Sequence, residues 1–182
     1  MTWDEYYLGI CNAVAKNSKC LSRQIGAILV RDKSIISTGY CGPPRNVPHC
    51  GTERLKVDDE LVEALTHKSE NSSKRLPNYS STCPRQVLGY KSGEGLEWCI
   101  SGHAERNSLI NAARNGIATR GTTMYMTCGT PCKDCTIEII NAGVVEVVVT
   151  ALSQYDRYAL SRLMFESSGV KLRLYKHLEE GK

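Results

Sequence analysis

The residues best suited to chemistry lie in two short motifs, HAE at residues 103–105 and PCKDC at residues 131–135. In the second motif, Cys132 and Cys135 have the C-x-x-C spacing, which occurs in dithiol redox pairs, in structural zinc sites and in catalytic zinc sites. The spacing alone does not choose among these three. The first motif adds a histidine, which can bind zinc, and a glutamate, which can carry protons.

A catalytic zinc needs three protein ligands, an open position for water and a nearby group that carries protons. Cys132 and Cys135 lie at i and i+3 of a predicted helix start, where both side chains project to one side and the helix dipole favours thiolates. Pro131 suits this start because its missing N–H is not required there. We therefore predict that His103, Cys132 and Cys135 bind zinc and that Glu105 is the catalytic proton carrier.

Hydrophobic periodicity predicts the elements that must position these motifs. Helices are expected at residues 2–17, 103–116, 132–143 and 155–169, and strands at residues 25–31, 34–40, 122–128, 144–150 and 170–176. A tight turn at Asp32 and Lys33 joins the first two strands. The last three strands are separated by helices, so they should run parallel through right-handed crossovers. The predicted fold is an α/β protein, a three-layer α/β/α sandwich around a mixed five-stranded sheet, with the final strand at an edge.

Residues 42–102 interrupt this pattern and hold five of the six prolines. Within them only residues 57–69 look helical, with apolar side chains on one face. A stretch this long with little regular structure is usually functional or mobile. We predict one domain covering residues 1–182, with a loop-rich insertion at about residues 42–102.

Composition narrows the choice of partners. The formal net charge is +4, and no segment gathers the basic residues into the stripe that long nucleic acids require. MTWDEYYLGI has no signal-peptide pattern, and the apolar run VVEVVV is too short to cross a bilayer. The nine cysteines therefore fit a cytoplasmic protein, without a membrane partner, whose thiols are reduced or bound to metal.

HAERN followed by TPCKDC resembles the signature of the zinc-dependent cytidine and deoxycytidylate deaminases, H-x-E and then P-C-x-x-C. SRQIGAILV, IISTGY, GTTMYMTC and SQYDR extend the likeness, particularly to the dCMP deaminases including those of bacteriophages, over most of residues 1–176. The resemblance implies the cytidine-deaminase-like fold and the hydrolysis of dCMP to dUMP and ammonia, a step towards thymidylate. In that reaction Glu105 would pass a proton from the activated water to N3 of the pyrimidine and another to the amino group.

Other functions stay open beside this one. A deaminase of the same fold acting on tRNA adenosine or on free (deoxy)cytidine is the nearest alternative. The helix predicted at 155–169 favours the branch of the family that holds the dCMP and tRNA deaminases. The even distribution of charge along the chain and the long insertion favour a mononucleotide as the substrate. A non-catalytic zinc protein would have little use for Glu105, and a dithiol oxidoreductase would show a metal-free, reducible Cys132–Cys135 pair.

The resemblance also directs attention to the residues that would bind the nucleotide. Many dCMP deaminases have Gly-Tyr-Asn-Gly after the second strand, with the asparagine on the sugar, whereas this chain has Cys41 there. Cysteine is a poor hydrogen-bond donor, so we predict that Asn46 takes this role. Tyr155 matches a family position near the substrate phosphate. The cations available for that phosphate are Arg23, Arg45, Arg106 and Arg114.

Regulation is implied by the same comparison. Members of the family are commonly homohexamers that dCTP activates and dTTP inhibits, with Mg²⁺ on the triphosphate. GYCGPPRNVPHC resembles the stretch that forms this regulatory site. The allosteric residues predicted from it are Tyr40, Cys41, Gly42 and Arg45.

Four further metal-ligating side chains fall in the insertion and are candidates for a second, structural zinc: His49, Cys50, Cys83 and Cys99. A long loop with little core would gain stability from such a site. Adjacent ligands at positions 49 and 50 are awkward for tetrahedral geometry, so packed free thiols are the alternative.

Overall fold

The computed structural model describes residues 1–70, 79–152 and 158–175. Its elements are α1 (Trp3–Ala15), β1 (Gly26–Arg31), β2 (Ser34–Tyr40), α2 (Asp59–Glu70), α3 (Pro84–Val87), α4 (Ala104–Arg114), β3 (Thr123–Met126), α5 (Lys133–Asn141), β4 (Glu146–Val149), α6 (Ala159–Ser168) and β5 (Lys171–Leu174). The first residues of the helix predicted at 155–169 lie outside the described ranges. None of the helices within those ranges is long and apolar enough to span a membrane.

The five strands form one sheet in the order β2-β1-β3-β4-β5. Strand β1 runs antiparallel to both β2 and β3, whereas β3, β4 and β5 run parallel. Parallel neighbours need a crossover connection, which α5 and α6 supply. The predicted mixed sheet, its parallel final strands and the edge position of β5 are confirmed.

The connection between β1 and β2 is a two-residue turn at Asp32 and Lys33. Both residues have left-handed φ angles, 50° and 60°. Two successive residues with positive φ are characteristic of the type I′ turn, whose twist matches that of an antiparallel strand pair. The tight turn predicted at these residues is confirmed.

Alternation along β1 shows how the sheet is buried on both faces. Ala27 and Leu29 pack into a cluster with α4, α5 and α6, while Ile28 and Val30 pack into a second cluster with α1. Successive side chains of a strand point to opposite faces, so one short segment contributes to both cores. The three layers predicted from the order of elements are therefore present.

Two glycines allow a helix to approach the sheet closely on each face. A Cβ atom added at Gly26 would lie 2.3 Å from the carbonyl oxygen of Cys11 in α1. A Cβ atom at Gly39 would lie 2.2 Å from the backbone nitrogen of Ser108 in α4. Because real Cβ atoms do not come this close to backbone, only glycine fits at either position.

The described residues divide into two compact units. The first comprises residues 1–18, 25–41 and the chain from residue 103, and the second comprises residues 19–24 and 42–102. The second unit has a small core of its own, built from Leu61, Leu65 and Val87. Whether the chain acts as one domain stays a prediction.

The second unit contains more regular structure than the sequence indicated. Besides α2 it holds α3 and two short 3-10 turns, Arg54–Lys56 and Leu96–Trp98. The buried Arg54 side chain donates to Asp58 and to the Trp98 carbonyl, both at 2.6 Å. The interpretation that only residues 57–69 are helical was incomplete, because three- and four-residue turns leave no periodic pattern.

The two ends of residues 42–102 are hydrogen-bonded to each other. The Gly42 N–H donates to the Gly102 carbonyl at 3.2 Å, and the Gly102 N–H donates back at 2.8 Å. This reciprocal pair is a single antiparallel bridge outside the main sheet. It closes the segment at its base.

Candidate metal centre

The start of α4 carries the first motif. His103 is the N-cap residue, with extended backbone (φ −72°, ψ 153°), and its side chain makes no capping hydrogen bond. Glu105 lies in the first turn and is only 4% exposed. An N-cap side chain usually accepts a hydrogen bond from a free N–H of the first turn. His103 makes no such bond, so its ring nitrogens are available to another partner.

The start of α5 carries the second motif in the same way. Cys132 is the N-cap residue and again makes no side-chain capping bond, while Cys135 follows in the first turn and is fully buried. Thr136 donates to the Cys132 carbonyl at 3.0 Å, which adds a side-chain bond to this first turn. Helix α5 follows β3, so the motif lies beyond the carboxyl end of a parallel strand, where α/β proteins commonly place their sites.

The two helix starts bring three predicted ligands together. Nδ1 of His103 lies 3.5 Å from Sγ of Cys132 and 3.3 Å from Sγ of Cys135. The three ligand atoms lie within 4.8 Å of one another, and across the described ranges no other group of three or more His, Cys, Asp or Glu residues does so. Zinc bonds of about 2.3 Å to sulfur and 2.0 Å to nitrogen give a tetrahedral S–N edge of about 3.5 Å. The donor set and its spacing therefore fit a zinc ion.

The electrostatics of the three side chains support this interpretation. The pKa of Cys132 is lowered, first by a hydrogen bond from the Cys135 thiol and then by one from His103. The pKa of Cys135 is raised because Cys132 takes the thiolate form and because Cys135 is buried. The pKa of His103 is raised by its bond to Cys132. The opposite directions of the two shifts favour one thiolate beside one thiol, and a divalent metal would supply the charge that lets both be thiolates.

Glu105 is the predicted proton carrier. Burial raises the pKa of its carboxyl group, and His103 opposes that shift through its charge. The Ser108 hydroxyl donates to the Glu105 carbonyl at 2.7 Å and so bonds to the backbone of this first turn. A buried carboxyl group with a raised pKa holds a proton more readily than a solvated one, which suits a proton carrier.

An ion pair beside the cluster was not anticipated from the sequence. Arg106, one of the four arginines available for the substrate phosphate, bonds Glu138 of α5 through Nε to Oε2 and through Nη2 to Oε1, each at 2.9 Å. A signal for it was present, since Arg106 follows His103 by three residues and Glu138 follows Cys135 by three. Residues at i and i+3 share a helix face.

Cys41, which replaces the family asparagine, is buried in the sheet-bearing unit. Its Sγ accepts the Ile25 N–H at 3.2 Å, and its carbonyl accepts the Ser18 hydroxyl at 2.6 Å. Tyr40 is 40% exposed, and its carbonyl accepts a bond from the Asn107 side chain at 2.8 Å. The sulfur of Cys41 is therefore hydrogen-bonded to the backbone just before β1. The allosteric roles predicted for Tyr40 and Cys41 stay predictions.

The remaining nucleotide-binding predictions are not decided by the structure. Arg45 and Asn46 are exposed, and Asn46 adopts a left-handed φ of 65°. Gly42 takes part in the bridge to Gly102. Tyr155 lies outside the described residues. The roles assigned to these four positions stay predictions.

The candidate second zinc site is looser than the first. Cys83 and Cys99 lie close enough to Cys50 for their charges to raise its pKa, although burial is the larger cause. Nδ1 of His49 is buried without a hydrogen-bond partner. The four residues do not form a group with ligand atoms within 4.8 Å. A second zinc stays a prediction, which a count of two zinc ions per chain would confirm.

Comparison with known proteins finds a family model that matches most of the chain. A family model described as the cytidine and deoxycytidylate deaminase zinc-binding region matches residues 1–151. Deoxycytidylate deaminase of Schizosaccharomyces pombe is 29% identical over 174 residues, which cover 96% of this chain and 44% of the relative. Deoxycytidylate deaminase of Enterobacteria phage T4 is 35% identical over 152 residues, covering 78% of this chain and 74% of the relative. The chain thus spans less than half the length of the Schizosaccharomyces pombe relative.

Solved structures show the same architecture. The crystal structure of dCMP deaminase from the cyanophage S-TIM5, in complex with dCMP and dUMP, matches with a TM-score of 0.62 at 21% identity. The match covers 94% of this chain and 95% of that chain. At this level of identity the likeness shows the fold, and it agrees with the sheet order and helix layers described above.

Proposed function

This chain belongs to the cytidine and deoxycytidylate deaminase family, and from that membership we propose that it catalyses the zinc-dependent hydrolysis of dCMP to dUMP and ammonia. The observation that carries the proposal is the pairing of a buried glutamate with a three-ligand cluster at two facing helix starts. Glu105 is 4% exposed, and the ligand atoms of His103, Cys132 and Cys135 lie within 4.8 Å. A purely structural zinc site would have four protein ligands and no need of the buried acid.

Each side chain of the centre has a defined task in this proposal. His103, Cys132 and Cys135 hold the zinc, which when bound supplies an activated water near neutral pH. Glu105 would take the two protons of the attacking water in turn, passing the first to N3 of the pyrimidine and the second to the leaving amino group. Its raised pKa suits this cycle because the carboxyl group must be protonated and deprotonated within one turnover.

The choice of dCMP rests on the relatives. The Schizosaccharomyces pombe and phage T4 proteins are both named deoxycytidylate deaminases. The flat charge distribution and the compact insertion favour a mononucleotide over a tRNA substrate, for which a basic surface would be expected. In this proposal Asn46 contacts the sugar and Tyr155 lies near the 5′-phosphate.

We also propose that dCTP activates and dTTP inhibits the enzyme, with Mg²⁺ on the triphosphate, in a homohexamer. The support is the resemblance of GYCGPPRNVPHC, with Tyr40, Gly42 and Arg45, to the regulatory stretch of the family. Cys41 is buried, its N–H donates to the Ile25 carbonyl and its carbonyl accepts the Ser18 hydroxyl, so in this proposal it would hold the stretch in place while its neighbours contact the effector. A rate at low dCMP that rises with dCTP and falls with dTTP is expected. A flat response to both would contradict the regulation and leave the deaminase proposal standing.

One experiment tests the reaction and the substrate together. Ultraviolet-monitored deamination is measured with cytidine, deoxycytidine, CMP, dCMP and a tRNA anticodon stem, with and without dCTP. We expect dCMP to have the highest kcat/KM, because the 5′-phosphate adds charge-assisted contacts that the nucleosides lack. Preference for deoxycytidine or for the tRNA stem would contradict the substrate assignment. No deamination of any of the five by zinc-loaded protein would contradict the enzyme assignment.

A further inference from the structure

The two helices of the metal centre are linked by one ion pair close to their starts. Within the described part of the chain, Arg106 and Glu138 form the ion pair that joins α4 to α5. Both contacts are 2.9 Å and run in parallel, from Nε to Oε2 and from Nη2 to Oε1. A two-bond pair of this kind fixes orientation as well as distance, because the planar guanidinium matches the planar carboxylate.

Each partner of the ion pair lies close in sequence to one of the proposed zinc ligands. Arg106 is three residues beyond His103, and Glu138 is three residues beyond Cys135. Each partner therefore lies one turn after a ligand, on the same side of its helix. The hydrogen bond that Arg106 donates to Glu138 raises the pKa of the guanidinium.

The solvent exposure of the two side chains limits what the pair can add to the stability of the fold. The side chains of Arg106 and Glu138 are 36% and 40% exposed. Ion pairs with this much solvent contact add little to the free energy of folding. The core beneath the helices, including Ala112 and Ile139, already holds them against the sheet. The remaining freedom is rotation and sliding of α4 relative to α5, which a bidentate contact restrains.

We propose that Arg106 and Glu138 form a positioning pair, which sets the separation of the two helix starts and thereby the zinc affinity of His103, Cys132 and Cys135. The proposal rests on the proposed function, since it takes these three residues as zinc ligands. It assigns neither partner a contact with the substrate. Residues that orient metal ligands without touching the metal typically change metal affinity by about 10–100-fold when they are altered.

The test uses Arg106→Gln, Glu138→Gln and the exchange variant R106E/E138R. Zinc affinity is measured by competition with a chromophoric chelator, and Co²⁺-substituted protein is examined for its ligand-field and sulfur-to-cobalt charge-transfer bands. We expect each single variant to lose about tenfold or more in zinc affinity and to shift the cobalt bands. The exchange variant should recover most of the affinity, because the same two bonds form in the opposite sense. Lys171→Gln, which breaks an exposed bridge to Glu146 between two strands, is the matched control and should change neither measurement.

Several outcomes would overturn the proposal. Wild-type zinc affinity in both single variants would show that the pair does not act on the centre. Loss in the single variants without recovery in the exchange variant would show that the mutual contact is not the cause. If a single variant does not fold, Arg106→Lys gives the answer, since lysine keeps the charge but cannot make two parallel bonds. Wild-type affinity in Arg106→Lys would then refute the role. A wild-type protein that binds no zinc would instead contradict the proposed function.

Discussion

The two faces of the sheet use polar residues in opposite ways. On the face covered by α4, α5 and α6, the helix starts leave His103 and Cys132 without capping bonds, and Glu105 is buried with a raised pKa. On the face covered by α1, Thr2 and Glu5 form a complete capping box. The fold therefore accepts an electrostatic cost on one face of the sheet and avoids it on the other. One helix is optimised for its own stability, and two helices give up capping so that their first turns can bind a metal.

The α1 face also has a matched charge network. Asp4 accepts bonds from the Tyr125 hydroxyl and from two nitrogens of Arg173, and Arg173 bonds Glu146 as well. These contacts connect the first helix to the last strand. The pKa of Asp4 is lowered, chiefly by its hydrogen bond with Arg173. Changes on this face should therefore alter stability, and changes at the helix starts should alter activity.

The largest effect is expected from Glu105→Gln, which keeps the size of the side chain and removes its ability to transfer protons. We expect kcat for dCMP to fall by about 10²–10⁴-fold or more. Zinc content and the free energy of unfolding should be preserved, because the glutamine needs no charge in its buried position. Steady-state kinetics, metal analysis and urea unfolding check the three quantities. The exposed Glu63→Gln is the matched control, and wild-type kcat in Glu105→Gln would refute the assigned role.

A smaller effect, on stability alone, is expected from Asp4→Asn. Loss of the charged acceptor leaves Arg173 and the Tyr125 hydroxyl with weaker partners, at a cost of about 1–3 kcal/mol in unfolding free energy. The folded pKa of Asp4 is lowered, so its contribution is present above the unfolded pKa and is lost as pH falls through the folded value. The difference from wild type should thus shrink in acid.

Urea unfolding between pH 3 and 7 measures this difference. The exposed turn variant Asp32→Asn is the control, because asparagine tolerates the left-handed φ of 50° there. The kcat of zinc-loaded Asp4→Asn should equal that of wild type. A large fall in kcat without loss of stability would contradict the division between the two faces.

The effect that is smallest near neutral pH is seen only in alkali and concerns Cys11. Its thiol is fully buried, and burial raises its pKa to about 12 from an ordinary 9.0. The unfolded chain loses this proton first, so the group lowers stability by about 1.4 kcal/mol per pH unit between these two values. Cys11→Ala should lack this part of the slope, even though it loses some packing. Parallel stability curves for variant and wild type above pH 9 would contradict it.

Much of the first unit was predictable because its signals are local and repeated. The apolar run in residues 25–31 and the helical pattern in residues 103–116 correspond directly to β1 and α4. The three-ligand cluster was predictable for another reason, since ligand types and spacing are fixed by zinc chemistry. Pairing of β1 with β3, by contrast, joins residues such as Ala27 and Met126 that are far apart in sequence. No local pattern in the sequence indicates this pairing.

What the sequence did not reveal depends on contacts between distant side chains. Arg106 is an ordinary surface arginine until the fold places Glu138 opposite it. The sulfur of Cys41 could not be assigned to a backbone N–H of Ile25 without knowing how the chain continues beyond β2. The short core of Leu61, Leu65 and Val87 comes from two helices, one of which is only four residues long.

The bridge between Gly42 and Gly102 has a consequence for how such a chain can diversify. A loop of n residues costs about (3/2)RT ln n in closure entropy, so doubling its length adds only about 0.6 kcal/mol. Here the reciprocal bonds of 3.2 and 2.8 Å already hold the two ends of the segment together. Insertions, deletions or replacement of residues between these glycines therefore change the closure entropy little, and the strands outside the segment are little affected. The length of residues 43–101 can change at little closure cost, provided that the core of Leu61, Leu65 and Val87 is kept.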